Sequence, residues 1–364
     1  MKAAVLYEYN EPLVIEEVEL DPPKAGEVQV KTGAAGVCRS DLHFMKGQAR
    51  TILPAVLGHE ASGTVEAVGE GVTTVKPGDR IILSFVPNCG RCQYCTTGRP
   101  NLCDLHASTA GTLFDGTMRL HKGDQRISHF GKVACFAEHM VVPEAGCIPV
   151  SEDVPMEVAC LIGCSVTTGV GAAVLNAQIT PGSSVAVVGC GGVGLNVIQG
   201  ARLMNASKVI AVDINEGALE FATKFGATDS VNAKHEDPVA RVKELTGGQG
   251  ADYTFEVFGS GETVETAYAM ARKGGTCTVV GIAPQGDQAN IEAVTLVRSE
   301  KVLKGTYYGS ARCHVDMPRI VDMYQSGKLS IDDIVTRRYS LDDINEAYED
   351  LDNIGIGRGV IVFP

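Results

Sequence analysis

Apolar and polar positions divide the chain into three sections with different patterns. In the first, from residue 1 to about 120, short runs alternate between apolar and polar side chains, as in residues 27–31, and turn signals such as Lys76-Pro77-Gly78-Asp79 separate the runs. An alternation of period two is typical of strands with one buried face. The first section is therefore predicted to be mainly β.

The middle section, from about residue 166 to 306, alternates short apolar runs with helical patterns. Its strand candidates are residues 185–188, 209–212, 254–257 and 277–281. Strands that alternate with helices are typical of a parallel, doubly wound sheet with helices on both faces. We therefore predict such a sheet here.

The last section, from about residue 307, contains helical patterns over 317–326 and 342–352 and a strand-like run over 360–363. We expect it to return to the first domain. The predicted fold class is α/β, with a mainly β domain of residues 1–165 and 307–364 and a doubly wound domain of residues 166–306. A chain of 364 residues is long enough to form two such cores.

The first strand candidate of the middle section leads into a glycine-rich turn. Residues 189–194 read Gly-Cys-Gly-Gly-Val-Gly and precede a helical pattern over 195–204, and Asp213 follows the next strand candidate. This strand, turn and helix, with an acid about 20 residues later, form the dinucleotide-binding fingerprint. The residues predicted to place a pyrophosphate at the helix N-terminus are Gly189, Gly191, Gly192, Val193 and Gly194.

Asp213 also predicts which dinucleotide binds. Its carboxylate would accept hydrogen bonds from the adenosine ribose and would repel an added 2′-phosphate. Residues 214–218 contain no arginine or lysine to receive that phosphate. The predicted cofactor is therefore NAD and not NADP.

Four of the twelve cysteines lie close together, at Cys89, Cys92, Cys95 and Cys103. The spacing C-x2-C-x2-C-x7-C lets four sulfurs surround one ion, as structural zinc requires. An iron–sulfur cluster is the alternative, but its bacterial pattern ends in a three-residue gap and a proline. A disulfide framework is disfavoured because no positively charged, apolar leader opens the chain.

A second set of possible metal ligands, Cys38, His59 and Cys164, is scattered and can meet only through the fold. Catalytic zinc takes three protein ligands and keeps a fourth position open. Residues 38–43 place a thiol, a cation, a hydroxyl, a carboxylate and an imidazole together, and Glu60 follows His59. The alternative is that these are an ordinary hydrogen-bonded histidine and small buried cysteines, as Cys135 and Cys160 are expected to be.

Composition narrows the class of protein. A formal charge of −13 argues against binding to nucleic acid or to an anionic membrane surface, since both need a basic face. No uninterrupted run of 18 apolar residues is present to span a bilayer. Many cysteines without a leader predict a reducing compartment, and hence a cytoplasmic protein.

Together these motifs resemble those of the zinc-dependent medium-chain alcohol dehydrogenases, over essentially the whole chain. The resemblance is carried by Gly58-His59-Glu60, residues 38–43, the four clustered cysteines, Cys164 and the glycine fingerprint. It implies a GroES-like catalytic domain, a Rossmann domain that binds NAD, and two zinc ions per subunit, one catalytic and one structural. It also implies oxidation of primary alcohols, aliphatic or aromatic, to aldehydes, and the reverse reduction.

The resemblance further implies individual roles. The scattered ligands would hold the catalytic zinc, and the clustered cysteines the structural zinc. The implied catalytic residues are Ser40, which contacts the substrate oxygen, His43, which passes the proton outward, Asp41, which orients His59, and Glu60 near the zinc. Glu60 would either exchange into the coordination sphere or merely balance charge.

Cofactor and pocket residues follow from the same resemblance. Arg39 and Arg358 match arginines that pair with the cofactor pyrophosphate. Thr168 and Ile282 match positions beside the cofactor and, with Phe85 and Phe130, the lining of a mostly apolar pocket. The long segment 111–132 resembles a branch of the family that forms homodimers.

Three other functions stay open. A thiol-adduct formaldehyde dehydrogenase is one, although Ala107 stands where that activity uses an arginine, and residues 47–51 lack its acidic groups. An alcohol dehydrogenase that never releases its nicotinamide is another, suggested by residues 305–310. The third is a zinc- and NAD(H)-binding redox sensor without catalysis, which would predict loss of ligands or relay residues.

Overall fold

The computed structural model describes residues 1–353 and 356–364. It contains two compact units. The first combines Met1–Cys164 with residues 311–353 and Arg358–Pro364, and the second is Ser165–Ser310 with residues 356 and 357.

The strands are β1 (Lys2–Leu6), β2 (Val14–Glu17), β3 (Glu19–Leu20), β4 (Glu27–Gly36), β5 (Ala55–Val56), β6 (Ala61–Val68), β7 (Arg80–Leu83), β8 (Leu120–Lys122), β9 (Gln125–His129), β10 (His139–Pro143), β11 (Cys147–Pro149), β12 (Ser184–Val188), β13 (Lys208–Asp213), β14 (Asp229–Asn232), β15 (Ala251–Glu256), β16 (Ala271–Val279), β17 (Val302–Gly305), β18 (Val335–Tyr339) and β19 (Arg358–Val362). The α-helices are α1 (Arg39–Met45), α2 (Gln93–Thr96), α3 (Asp104–Ser108), α4 (Met156–Leu161), α5 (Thr167–Gly171), α6 (Gly192–Leu203), α7 (Glu216–Lys224), α8 (Pro238–Leu245), α9 (Gly261–Met270), α10 (Ala293–Ser299), α11 (Cys313–Gln325) and α12 (Ile344–Asn353).

The first unit is built on two mainly antiparallel sheets. One has the order β2-β1-β5-β9-β8-β3, and the other has the order β11-β7-β6-β4-β19-β18, with β10 also paired to β4. The long strand β4 alternates buried and less buried residues, because one face packs on the core. Its last residues pair with β19, with Ala35 opposite Ile361, so β19 lies beside the end of β4, two residues before Cys38.

The second unit contains one parallel sheet with the order β14-β13-β12-β15-β16-β17. In chain order this is 3-2-1-4-5-6, the order of dinucleotide-binding sheets. The predicted α/β class and the predicted doubly wound sheet are confirmed. The sequence analysis missed β14 and β17, the two edge strands. Strand β14 reads Asp-Ser-Val-Asn and has a single apolar residue, because an edge strand needs little burial.

One helical run was not expected. Met156–Ala177 is long and apolar enough on average to cross a membrane, although polar residues interrupt it. Within the protein, 83% of its most apolar window is buried. Such burial is typical of a helix in a protein core, and a single run of this kind is weak evidence for a membrane span.

A buried histidine in the first unit makes acid stability a testable property. His129 is fully buried, and its Nε2 accepts hydrogen bonds from the backbone N–H groups of Arg119 at 2.8 Å and Leu120 at 3.3 Å. Burial, helped by Arg119 and Lys132 nearby, lowers the pKa of His129 to about 3. The folded protein therefore keeps this imidazole neutral at neutral and mildly acidic pH.

We expect the free energy of unfolding to fall as the pH drops from about 6.5 towards 3, because in this window the unfolded histidine binds a proton and the folded one does not. The contribution of this single group is up to about 1.4 kcal/mol per pH unit. The variant His129→Gln keeps an acceptor for the two N–H groups but cannot titrate. Its urea-unfolding midpoint should depend less on pH between 4 and 6 than that of the unmodified protein. Replacement of the exposed His235 by glutamine is the control, and equal pH dependence in both variants would contradict the prediction.

Candidate metal centres and dinucleotide site

The structure brings the scattered ligands Cys38, His59 and Cys164 together in the first unit, and we name them the Cys-His-Cys cluster. Cys38 lies just before α1, at the end of β4, and His59 lies between β5 and β6. Cys164 lies in the wide helical turn Ile162–Val166, of the π type that often occurs at functional sites. One ligand atom from each residue lies within 4.8 Å of the others, and all three side chains are buried.

The donor set of this cluster fits a zinc ion. His59 Nε2 lies 3.3 Å from Cys164 Sγ, near the separation of about 3.6 Å that tetrahedral zinc bonds to nitrogen and sulfur would set. The contact with Cys164 lowers the pKa of Cys38 well below its usual value; burial opposes this shift, while Arg358 and His59 add to it. A thiolate is the form of cysteine that binds metal.

Asp41 holds His59 in place. Its Oδ1 lies 3.1 Å from His59 Nδ1 and accepts a hydrogen bond from Gly58 N at 3.0 Å. When Nδ1 carries the proton and donates it to Asp41, Nε2 is free to bind a metal. Carboxylates commonly orient metal-binding histidines in this way. Burial disfavours the charged imidazole, but Asp41 and Cys38 outweigh it and raise the pKa of His59 well above its usual value. Asp41 thus contacts His59, and its predicted role at a metal site stays a prediction.

Glu60 and Arg358 form an ion pair that the sequence analysis missed. Arg358 Nη2 donates to Glu60 Oε2 at 2.5 Å, although the two residues are 298 positions apart, and Arg358 Nη1 donates to Val37 O at 3.1 Å. Both are buried, and Glu60 raises the pKa of Arg358 despite the opposing effect of burial. A Cβ atom on Gly36 would lie 2.3 Å from Glu60 Oε2, so a larger residue there would have to displace the Glu60 carboxylate. The predicted pyrophosphate contact of Arg358 stays a prediction.

Helix α1 carries the other residues of the predicted relay. Ser40 is partly buried, and His43 Nδ1 lies 2.5 Å from Gln48 Oε1, a partner that the sequence analysis did not name. Arg39 Nη1 lies 3.6 Å from Asp352 Oδ1 at the end of α12. Its predicted contact with a pyrophosphate stays a prediction.

An aromatic wall of Phe44, Phe85 and Phe130 lies beside the Cys-His-Cys cluster. The rings of Phe85 and Phe130 are edge-on to His59, with centroids 4.9 and 5.6 Å away. Phe44 packs on Phe130 with the centroids 4.5 Å apart. Phe85 and Phe130 were predicted as pocket residues from resemblance; Phe44 was missed because it occupies an ordinary apolar position of α1.

The four clustered cysteines also converge, and we name residues 89–103 the four-cysteine lobe. Their sulfurs lie within 4.8 Å of one another. Cys89 Sγ is 4.0 Å and Cys92 Sγ is 3.4 Å from Cys95 Sγ. These distances lie on either side of the value of about 3.8 Å for two sulfurs on one tetrahedral zinc and far above a disulfide bond of about 2.05 Å. The arrangement therefore fits a closed zinc site.

In the second unit, the glycine turn joins β12 to α6. Gly189 has φ +97°, and a Cβ on Gly194 would lie 1.9 Å from Gly189 O, so both positions require glycine. A Cβ on Gly191 would meet nothing within 4 Å. The turn thus has an open side at the N-terminus of α6, where N–H groups and the helix dipole attract a phosphate.

Asp213 ends β13 beside this turn. Its Oδ2 accepts from Cys190 N at 2.8 Å, and Oδ1 accepts from Ile214 N at 2.7 Å. The carboxylate therefore ties the glycine turn to the next strand. Three large apolar side chains after β13, β15 and β16 are exposed, namely Ile214 at 67%, Phe258 at 53% and Ile282 at 58%. They follow the carboxyl ends of parallel strands, the edge at which such sheets bind ligands. Thr168 lies in α5, and its predicted role stays a prediction.

Comparison with known proteins finds two matching family models and relatives that cover almost the whole chain. A family model of the alcohol dehydrogenase GroES-like domain matches residues 24–152, and a model of zinc-binding dehydrogenases matches residues 192–326. The chain is 40% identical to the NDMA-dependent alcohol dehydrogenase of Amycolatopsis methanolica, over 99% of this chain and 98% of that protein. It is 40% identical to S-(hydroxymethyl)glutathione dehydrogenase of Saccharomyces cerevisiae, over 96% and 93%. The structure of benzyl alcohol dehydrogenase from Acinetobacter calcoaceticus has a TM-score of 0.94 and 33% identity, over 100% and 99% of the two chains.

Proposed function

Since the chain belongs to the zinc-dependent medium-chain alcohol dehydrogenases, a family of oxidoreductases, we propose that it oxidises primary alcohols, aliphatic or aromatic, to aldehydes with NAD as the hydride acceptor, and also catalyses the reverse reduction. The observation that carries this proposal is the buried Cys-His-Cys cluster beside an aromatic wall. Three ligands with the right donor atoms suit a catalytic zinc, which needs a further position for substrate.

In this proposal Cys38, His59 and Cys164 hold the catalytic zinc, and the four-cysteine lobe holds the structural zinc. When bound, the catalytic ion supplies Lewis acidity that favours ionisation of the alcohol. Asp41 keeps the His59 ring oriented, and the ion pair of Glu60 with Arg358 keeps a second carboxylate in place close behind the cluster.

The reaction removes a hydride and a proton from the alcohol, and the hydride passes to NAD. Ser40 would accept the hydroxyl proton while its own proton moves on towards His43, and His43 would pass a proton to solvent. The contact of His43 Nδ1 with Gln48 Oε1 supports this role, because an amide oxygen there favours the tautomer with a proton on Nδ1 and a free Nε2. Phe44, Phe85 and Phe130 would exclude water and favour apolar substrates, benzyl alcohol among them.

Turnover assays test the proposal. NADH formation by the zinc-loaded protein would be measured with ethanol, hexanol, benzyl alcohol and a hydroxymethyl-thiol adduct. Turnover of the simple alcohols supports the proposal, and preference for the adduct supports the thiol-adduct activity in the name of the yeast relative. Failure of every alcohol to react, with or without an added acceptor, would reject it and leave the redox-sensor alternative.

A second candidate is an alcohol dehydrogenase that retains its nicotinamide through turnover. It is favoured by the 40% identity to a relative whose name records dependence on NDMA. This candidate predicts nicotinamide in the denatured protein and alcohol-dependent reduction of NDMA without free NADH. If the denatured protein contains no nicotinamide and turnover forms free NADH, the result supports exchangeable NAD.

Coenzyme choice is expected to depend on Asp213. The variant Asp213→Asn removes the charge at nearly constant size, so the Michaelis constant for NAD should rise about tenfold, the loss expected of one charge-assisted hydrogen bond. Discrimination against NADP should weaken, because the repulsion of a 2′-phosphate is lost. The control is Asp229→Asn, at the amino end of β14. Unchanged kinetics with both coenzymes in Asp213→Asn would contradict the assignment.

Further properties belong to the same proposal. We propose a homodimer in the cytoplasm that binds a small alcohol or aldehyde and neither nucleic acid nor membrane. Strand β17, at one edge of the parallel sheet, exposes Val302 at 46% and Leu303 at 37%, which would suit pairing with a second copy. Light scattering of the purified protein measures the mass of the assembly directly.

A further inference from the structure

Besides Arg358 Nε, two buried polar atoms near the Cys-His-Cys cluster lack a hydrogen-bond partner in the described part of the chain. They are Asp41 Oδ2 and the hydroxyl oxygen of Tyr348. Asp41 is 0% and Tyr348 is 3% exposed. Asp41 uses only its other oxygen, Oδ1, for His59 and Gly58. One of the two oxygens of the carboxylate that orients His59 therefore has no hydrogen bond to a protein atom in the described residues.

A chain of contacts through Phe136 and Gly58 links Tyr348 to Asp41. The Tyr348 ring, on α12, lies against Phe136 with the centroids 6.0 Å apart. Phe136 in turn packs on Gly58, where an added Cβ would lie 2.7 Å from its ring, and Gly58 N donates to Asp41. Burial raises the pKa of Tyr348 well above its usual value, and Asp41 is the charge that adds most to this shift. The two groups thus lie in the same buried region of the first unit.

Leaving both atoms unpaired would cost about 1–3 kcal/mol for each. A buried water typically makes about three hydrogen bonds to such groups. Here it would accept from the Tyr348 O–H and donate to Asp41 Oδ2, which leaves one donor and one acceptor for neighbouring backbone. A carboxylate accepts and a phenol donates, so one water satisfies both atoms without placing two donors or two acceptors in contact.

We propose that Tyr348 is a positioning residue of the catalytic metal centre, joined to Asp41 Oδ2 through one buried water. The inference rests on the proposed function, because it concerns the ligand set assigned there. Asp41 holds the His59 ring with one oxygen, and Tyr348 prevents the carboxylate from turning by holding the other. Outer partners of this kind typically change metal affinity by about 10- to 100-fold.

The test is the affinity of the Tyr348→Phe variant for zinc, which lacks only the hydroxyl group. Zinc is titrated in competition with a chromophoric chelator, and the four-cysteine lobe serves as the internal reference in the same molecule. We expect the catalytic site to bind zinc about tenfold more weakly, with unchanged binding at the lobe. Tyr268→Phe is the matched control, because Tyr268 is also a buried tyrosine with an unpartnered hydroxyl and belongs to the second unit.

A second readout separates positioning from a change in overall stability. Cobalt in the catalytic site gives thiolate charge-transfer and d–d bands that report the geometry of its ligands. These bands should shift in Tyr348→Phe and stay unchanged in Tyr268→Phe. Equal zinc affinity and identical cobalt spectra in Tyr348→Phe would overturn the inference alone. An unmodified protein that binds zinc only at the lobe would overturn the proposed function and this inference with it.

Discussion

Replacing Cys38 with serine is expected to lower kcat/KM for alcohol oxidation about a thousandfold or more, which corresponds to roughly 4 kcal/mol of transition-state stabilisation. A serine hydroxyl does not ionise near neutral pH, so the Cys-His-Cys cluster would lose one of its two thiolates. His59 and Cys164 alone would hold zinc weakly, since catalytic sites use three protein ligands. Metal analysis should therefore find one zinc per subunit in the variant and two in the unmodified protein.

The matched control is Cys160→Ala. Cys160 is buried four residues before Cys164, and its thiol contacts the backbone oxygen of Glu157 at 3.1 Å. It belongs to neither metal cluster within the described residues. This variant should keep two zinc ions and its turnover. If Cys38→Ser also keeps both zinc ions and full turnover, the cluster does not hold the catalytic metal.

Replacing Cys103 with serine is expected to abolish zinc binding at the four-cysteine lobe and to lower the thermal midpoint by roughly 10 °C. The lobe contains only α2, of four residues, and a short 3₁₀ turn, Pro100–Leu102. Elements of this length are not stable alone. The bound metal would hold them, because zinc binding to unfolded ligands contributes about 10–16 kcal/mol in zinc-finger peptides. Cys103 is the most buried of the four ligands and accepts from Cys89 N at 3.3 Å.

Two measurements check this second prediction. Calorimetry gives the change in midpoint, and hydrogen exchange should show faster exchange confined to residues 89–108. The control is Cys147→Ala, since Cys147 is buried in β11 and lies outside both clusters. A Cys103→Ser protein that keeps two zinc ions and normal protection of the lobe would rule out a structural metal there.

Local motifs in the sequence predicted several parts of the structure correctly. The strand, turn and helix around Gly189 and Gly194 lie where the pattern placed them, because the turn requires residues without a Cβ. Convergence of the four cysteines was also predictable, since a short spacing limits how far the sulfurs can separate. The edge strands β14 and β17 were not predicted, because they bury too little surface to require an apolar pattern.

The Cys-His-Cys cluster was predicted only in part. The sequence by itself identified Cys38, His59 and Cys164 as candidates, but 105 residues separate His59 from Cys164, and only folding brings them within 4.8 Å of one another.

The sequence by itself therefore determined the fold class, the glycine turn and the four-cysteine lobe, because each depends on residues close together in the chain. Only the tertiary structure decided the ion pair of Glu60 with Arg358, the contact of His43 with Gln48, the place of Phe44 in the aromatic wall and the burial of Tyr348 against Phe136. Most of these partners lie on different elements, and even the contact of His43 on α1 with Gln48 depends on how the loop after the helix folds. Side-chain contacts of this kind leave no periodic signal in the sequence, because they depend on how separate elements pack.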